Sequence, residues 1–322
     1  MSATSVVREP FFTIREVPTR EGVVQYRREM LTGLRCRIST ERIKRGIDGP
    51  ISMEFSPEGC PFCSDLVMNM TPTFAEGNRI CIGESITFPN LYPFAEQHTV
   101  TVITNSHSTG RFTQRQLADA FHGQMISLQD YRGYPSINCN YLPSAGASLT
   151  HPHLQGIADT EPTVLAERYL TACNRYLTKY GSIYWDDFRL HEEESDRFLF
   201  GDELFWYANP VPIGEREVRA VLPFSTIHEF EPYLESFAEG TARILDFYRR
   251  MGNIAFNLSL FFDKTGSRPG KSSGFRAFSS IIARINPNPA SLSDSAFMER
   301  IHLEPVILTL PEDLGVQFRL KG

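Results

Sequence analysis

The stretch Gly146-Ala147-Ser148-Leu149-Thr150-His151-Pro152-His153-Leu154-Gln155 places two imidazoles and an amide at every second position. Read as an extended strand entered from a glycine-containing turn, it turns His151, His153 and Gln155 to one side. That row suits phosphoryl chemistry. An unprotonated imidazole nitrogen can attack phosphorus, a second group can fix which nitrogen is free, and the amide can donate to a phosphoryl oxygen. A His-x-His pair by itself reads more readily as a metal site or as two surface imidazoles. Context shifts that balance, because Cys60-Pro61-Phe62-Cys63, His107 and His151 together supply two thiols and two imidazoles, a ligand set for tetrahedral zinc. Cys-x-x-Cys alone is also compatible with a redox pair or two buried thiols.

Such side chains need a rigid sheet beneath them. Arg79 to Thr87 and Thr99 to Thr104 are rich in β-branched residues and flank a Pro89-Asn90-Leu91-Tyr92-Pro93 turn, so they read as neighbouring strands. Thr113 to Arg132 carries Leu117, Ala120, Phe121, Met125 and Leu128 at helical spacing behind Thr113, a natural N-cap. Strands follow over Ser136 to Leu142 and Leu149 to Ile157, then a helix over Glu161 to Tyr180. After an acidic stretch containing Glu192, Glu193 and Glu194, read as a solvated face, the order repeats in outline. Strands fall at Leu204 to Ala208 and Glu217 to Pro223, a helix at Tyr233 to Met251, and apolar β-like runs at Asn257 to Phe262 and Ile281 to Ile285. Two copies of one α+β unit produce such an order. The divide is placed near Asp196, giving halves 1–195 and 196–322, with the zinc set and His153 in the first. Gly266 to Gly274 reads as a mobile loop.

Composition bounds the function. The 322 residues carry a net charge of −6, so there is no basic field to hold a polynucleotide by counterion release. A small phosphate ester needs only two or three donors, which local arginines can supply. No signal-peptide core and no apolar run of spanning length is present, so a cytoplasmic protein without membrane contact is expected. Cys36, Cys81, Cys139 and Cys173 read as small buried hydrophobes, and His98 and His122 carry no usable pattern.

Taken together, Asn140, Gly146, Ser148, His151, His153 and Gln155 match an Asn-x5-Gly-x-Ser-x2-His-Pro-His-x-Gln signature. The chain resembles the galactose-1-phosphate uridylyltransferases of the histidine-triad superfamily over most of its length, most strongly from Leu31 to Gln155. The resemblance implies an α+β fold of two related halves, each an antiparallel sheet packed with helices. It further implies that His153 attacks the α-phosphorus of a nucleoside diphosphate compound, giving a covalent nucleotidyl-histidine that a second phosphate ester then collects. Gln155 would hold a phosphoryl oxygen, Ser148 and the Gly146 backbone the displaced phosphate, and Asn140 would orient the phosphoryl group. Cys60, Cys63, His107 and His151 correspond to the ligands of a structural zinc, and Asn90 to a nucleoside contact. Met30-Leu31-Thr32-Gly33 with Arg35, Arg37 and Arg42 resembles a segment that donates to nucleotide phosphates. A homodimer completing the acceptor site across its interface is expected by the same analogy.

Three departures bear on the acceptor. The family's second-half His-x-His pair, an iron site, should fall near Ser279 to Ala283 and is absent. The Val-Gly-Tyr-Glu segment that contacts hexose phosphate is replaced by Phe297 to Glu304. Leu154 stands where many uridylyltransferases have glycine, as in dinucleoside polyphosphate phosphorylases. The expected activity is therefore transfer of a nucleoside monophosphate from a nucleotide sugar to a sugar 1-phosphate. The alternative is phosphorolysis or hydrolysis of a dinucleotide or nucleotide sugar, with inorganic phosphate or water as acceptor. A non-catalytic nucleotide-binding protein is the reading from a different class.

Overall fold

Alternating burial along the strands decides the architecture of this computed structural model, which describes residues 9–45, 58–64, 66–107, 111–201, 203–265, 273–285 and 294–321. Strands β1 (Phe12–Pro18), β2 (Val23–Glu29) and β3 (Arg35–Ile38) form an antiparallel N-terminal sheet. A short helix α1 (Val67–Met70) precedes a meander of β4 (Ile80–Ile82), β5 (Ser85–Pro89) and β6 (Gln97–Val102), followed by helix α2 (Gln114–Leu128), β7 (Tyr134–Tyr141) and β8 (His153–Asp159). Helices α3 (Val164–Tyr180) and α4 (Tyr184–Glu192) intervene. The order then recurs as β9 (Phe198–Phe200), β10 (Phe205–Ala208), β11 (Val218–Val221), α5 (Leu234–Arg250), β12 (Phe256–Phe261) and β13 (Phe278–Ala283). Helix α6 (Phe297–Arg300), β14 (Val306–Ile307) and α7 (Pro311–Lys321) close the chain, β14 adding in parallel to β3.

The large sheet has ten strands in the order β4-β5-β6-β8-β7-β12-β13-β11-β10-β9. Each half contributes a three-stranded meander whose third strand pairs with the last strand of that half, and β7 meets β12 antiparallel at the seam. The repeat extends to single residues. Gly123 of α2 lies against the Thr87 side chain and Gly240 of α5 against Trp206, and a β-carbon at either position would come within 2.4 and 2.5 Å of those side chains. These glycines let the two helices lie close on one sheet face, and an alanine there costs on the order of 1–3 kcal/mol through overpacking. Starting from Thr87 and Trp206, the strand registers make Thr101 equivalent to Ala220 and Leu154 to Ser279. His153 then corresponds to Phe278, Gln155 to Ser280, His98 to Glu217 and Asn90 to Asn209.

The two faces of the sheet differ in cover. Leu154, Ile137, Leu258 and Ile281 point to the face packed by α2 and α5, in the main core. On the opposite face, the second half is covered by Tyr169 of α3 and by Trp185 and Phe188 of α4, which pack with Phe278 and Tyr207. Over the first half that face stays partly open. Phe278, in the place of His153, is fully buried, and no His-x-His pair stands there.

Several sequence expectations need correction. Arg79 to Thr87 is a hairpin, because Gly83 takes φ +56° and turns the chain between β4 and β5. The strand expected from Leu149 begins only at His153. Pro152 has no N–H to give a ladder, so His151 lies in the connection before the strand and does not share a strand face with Gln155. Glu192 is not solvated: it is fully buried, its two oxygens 2.8 Å from Nε and Nη2 of Arg197, and only Glu193 and Glu194 are exposed. Cys81 is exposed, whereas Cys36, Cys139 and Cys173 are buried. The expected loop at Gly266 to Gly274 lies, up to Ser272, outside the described residues.

Candidate active site

Four elements bring the first group of residues together. Cys60 and Cys63 sit on a tight turn in which the Cys63 N–H donates to the Cys60 carbonyl at 3.2 Å, and the Cys63 carbonyl accepts from Leu66 and Val67 as α1 begins. His107 follows β6 and His151 precedes β8. The four ligand atoms lie within 4.8 Å of one another. The sulfur-to-Nδ1 distances are 3.8 Å for Cys60 to His151, 3.7 Å for Cys63 to His151 and 3.5 Å for Cys63 to His107. Tetrahedral zinc with Zn–S of about 2.3 Å and Zn–N of about 2.0–2.1 Å sets such edges at roughly 3.5 Å, so the residues fit the ion. Outer contacts agree with this. Nε2 of His151 faces the Thr104 carbonyl at 2.8 Å, so it carries the proton and Nδ1 turns its lone pair to the thiols; Nε2 of His107 meets the Thr150 hydroxyl at 3.1 Å.

His153 stands apart from this cluster. Its Nδ1 lies 2.8 Å from the His151 carbonyl, which can only accept, so Nδ1 holds the proton and Nε2 keeps a lone pair. Burial is the larger influence on the ring and pushes its pKa below the ordinary histidine value, against the smaller raising effect of that hydrogen bond. The hydrogen bond thus fixes the tautomer, and burial favours the neutral ring. Phe62, from the Cys-x-x-Cys turn, meets it edge-on with centroids 5.4 Å apart.

Around His153 the open face of the sheet carries amides. Asn140 is in register with Asn257 across the seam, and the Asn257 Nδ2 donates to the Asn140 Oδ1 at 2.6 Å and to the Ala145 carbonyl at 2.9 Å. With its oxygen occupied, Asn140 has its NH2 end available for an anion. Asn257 is itself held by Arg284, whose Nη1 donates to its Oδ1 at 2.8 Å. The loop that follows β7 turns through Leu142 at φ +74° and Gly146 at φ +89°. The second value is left-handed backbone that suits glycine. It leaves Gly146 and Ser148 exposed beside the site.

Gln155 and Asn90 meet through a residue that carried no sequence pattern. His98, at the start of β6, has its Nε2 3.0 Å from the Gln155 Oε1 and 3.0 Å from the Asn90 Nδ2. Asn257 was missed in the same way. Arg35 and Arg42 lie elsewhere: both are exposed, Arg35 on β3 and Arg42 in the 3-10 turn Thr40–Arg45 that follows it, in the part of the chain that pairs with β14 and not with the large sheet. Arg37 is paired with Glu304 at 2.7 Å. A separate cavity of about 220 Å³, lined by Phe11, Leu31, Tyr176 and Tyr180 among others, shares no residue with the site. The His153 side chain is itself only 5% exposed, and Asn140 and Gln155 on the same sheet face are half-buried.

No protein-family model matches the chain. An uncharacterized protein of Archaeoglobus fulgidus is 27% identical over 316 residues, covering 93% of this chain and 92% of its own. Among solved structures, an ADP-glucose phosphorylase from Arabidopsis thaliana with bound ADP-glucose superposes with a TM-score of 0.72 at 14% identity, over 93% of this chain and 99% of the other. A uridylyltransferase superposes with a TM-score of 0.66 at 18% identity, over 92% and 97%. The chain has the two-half α+β fold of these proteins.

Proposed function

We propose that the protein is a nucleotidyl-transferring enzyme in which His153 is the covalent nucleophile. The observation that carries this reading is the geometry at His153, with Nδ1 2.8 Å from the His151 carbonyl and the ring outside the Cys60, Cys63, His107 and His151 cluster. In the first half-reaction the Nε2 lone pair bonds to the α-phosphorus of a nucleotide sugar or related nucleoside diphosphate compound. The bond from that phosphorus to the bridging oxygen breaks, and the sugar phosphate leaves with the electron pair. The positive charge gained by the ring is relieved against the His151 carbonyl, which already accepts Nδ1–H. NH2 groups of Gln155 and Asn140 donate to the phosphoryl oxygens where charge develops, and Ser148 with the Gly146 backbone receives the leaving phosphate. In the second half-reaction an acceptor phosphate oxygen attacks the same phosphorus and His153 departs neutral, the ping-pong course of covalent catalysis. Asn90 is assigned to the nucleoside, whereas Arg35 and Arg42, exposed on and beside the small sheet, are given no role at His153.

Cys60, Cys63, His107 and His151 would hold zinc as a closed four-ligand site, in which the ion supplies structural cross-linking. We place the functional division at 195/196, so that the first half carries the nucleophile, and we infer a cytoplasmic homodimer whose second halves contribute to acceptor binding.

Two acceptor classes are compatible with this chemistry. Leu154 does not choose between them, because its side chain is 1% exposed and packs in the core on the opposite sheet face. The resemblance to an ADP-glucose phosphorylase fold favours testing inorganic phosphate beside hexose 1-phosphates. Product analysis with ADP-glucose or UDP-glucose, given inorganic phosphate, a hexose 1-phosphate or neither, separates phosphorylase from transferase. Full turnover with water alone would exclude both.

A further inference from the structure

We infer that Glu84 is a positioning residue for the Cys60, Cys63, His107 and His151 cluster, acting through the turn that joins Thr104 to His107. The inference rests on the zinc assignment proposed above and deepens it. The turn Thr104-Asn105-Ser106-His107 delivers two groups to the cluster, the ring of His107 and the Thr104 carbonyl that faces Nε2 of His151 at 2.8 Å. Its near end is fixed to the residues before β8, because the Ile103 N–H donates to the Pro152 carbonyl at 3.0 Å. Glu84 fixes the rest. From the β4–β5 hairpin, its Oε2 accepts from the Thr104 hydroxyl at 2.8 Å and from the Asn105 N–H at 3.0 Å, while the Ser106 N–H donates to Thr104 Oγ1 at 3.3 Å. Gln116 of α2 closes the set, its Nε2 donating to Glu84 Oε1 at 2.7 Å and to Thr104 Oγ1 at 3.1 Å.

The donor and acceptor roles in this group are all compatible. The Gln116 amide cannot be turned over, because its Oε1 accepts the Thr113 N–H at 3.0 Å in the capping box of α2. Its NH2 end therefore faces Glu84 and Thr104. The Thr104 oxygen takes two N–H groups on its lone pairs and has its own proton left for the carboxylate. Three donors thus converge on Glu84, and a group that only accepts meets all of them. Burial acts to raise the Glu84 pKa, but the hydrogen bonds from Asn105, Gln116 and Thr104 outweigh it and hold the carboxyl below the usual glutamate value. The second half keeps the backbone frame without the clamp. There the Leu222 N–H donates to the Ala277 carbonyl at 2.9 Å, as Ile103 does to Pro152, so Pro223 stands in the place of Thr104 and Arg276 in that of His151. Counting back along the helices from Gly123 and Gly240 puts Tyr233 in the place of Gln116. A proline has no hydroxyl and a tyrosine no amide for such a network. Clamp and ligand set occur together in one half, and the equivalent positions of the other carry neither.

Exchanging the charge and the amide tests this polarity. The readouts are zinc affinity from competition with a chelator, the absorption bands of cobalt(II) bound in place of zinc, and the melting temperatures of loaded and metal-free protein. Glu84→Ala is expected to bind zinc about 10- to 100-fold more weakly, with altered cobalt(II) bands, as when a group that holds a metal ligand in place is removed. At about pH 8, Gln116→Glu alone sets two carboxylates against each other and should lose at least about 10-fold. Glu84→Gln combined with Gln116→Glu restores one donor and one acceptor across the contact, and its zinc affinity should return to within about 3-fold of the parent. The gap between loaded and metal-free melting temperatures should shrink in the two single variants, whereas a merely structural role lowers both temperatures together and leaves zinc affinity unchanged. Zinc affinity of Glu84→Ala within about 3-fold of the parent, or a double exchange that binds no better than Gln116→Glu, overturns the proposal. If the parent itself binds neither zinc nor cobalt(II), the zinc assignment fails and takes the proposal with it.

Discussion

Nδ1 of His153 lies 2.8 Å from the main-chain carbonyl of His151, so the proposed nucleophile is joined by one hydrogen bond to a member of the Cys60, Cys63, His107 and His151 cluster two positions away. His151 is anchored on its other side by the Thr104 carbonyl and by the two thiols. Loosening of that cluster would be transmitted to the tautomer of the proposed nucleophile.

Loss of the metal should therefore cost activity as well as stability. Cys60→Ser is expected to bind less than one zinc per chain, to melt roughly 5–10 °C lower and to be nucleotidylated at least about 10-fold more slowly. Metal analysis, thermal denaturation and single-turnover labelling check this. A zinc-free variant with undiminished labelling would break the connection between His151 and His153.

Asn257 contributes to the site from the second half. Its substitution by alanine removes the donor to Asn140 Oδ1 and to the Ala145 carbonyl, leaving the Asn140 amide free to turn. A fall of about 10- to 100-fold in the labelling rate is expected, with little change in zinc content. Steady-state rates unchanged within 2-fold would show that Asn140 does not need this brace.

Glu312 of α7 ties the N-terminal sheet to the second half, since its carboxylate meets Arg27 at 2.9 Å and Arg197 at 2.8 Å. Burial acts to raise its pKa, but the hydrogen bonds and charges of the two arginines outweigh it and hold the group below the usual glutamate value. A depressed folded-state pKa contributes stability that is present above the unfolded value of 4.5 and is lost as pH falls through the folded pKa. Glu312→Gln should thus be less stable than the parent by about 1–3 kcal/mol near pH 7, because it leaves two largely buried guanidinium groups with a weaker partner. The gap should narrow as pH falls below 4.5 and through the depressed folded-state pKa. Urea denaturation across pH tests it, and a gap that widens in acid would contradict the assignment.

Much of this arrangement can be read in the residues themselves. The Thr113 cap of α2 and the duplicated order of elements follow from spacing and residue type, and Cys60, Cys63, His107 and His151, singled out by residue type, do cluster. What could not be read is tertiary. His98 and Asn257 act through partners 57 and 117 positions away, and only the sheet register brings them together. Glu192 looked like part of a charged surface run because its counter-ion Arg197 lies beyond the end of its own helix. The start of β8 was misjudged because alternation continued through Pro152, where the missing N–H interrupts the ladder.

The central claim is that His153 bonds to phosphorus. Incubating the protein with ADP-glucose or UDP-glucose without an acceptor, quenching, and locating any added mass by peptide mass spectrometry tests it most directly. The account predicts one nucleoside monophosphate on His153, discharged on adding inorganic phosphate or a hexose 1-phosphate and absent in His153→Ala. Efficient turnover of these substrates with no adduct on His153, or with His153→Ala as active as the parent, would contradict it.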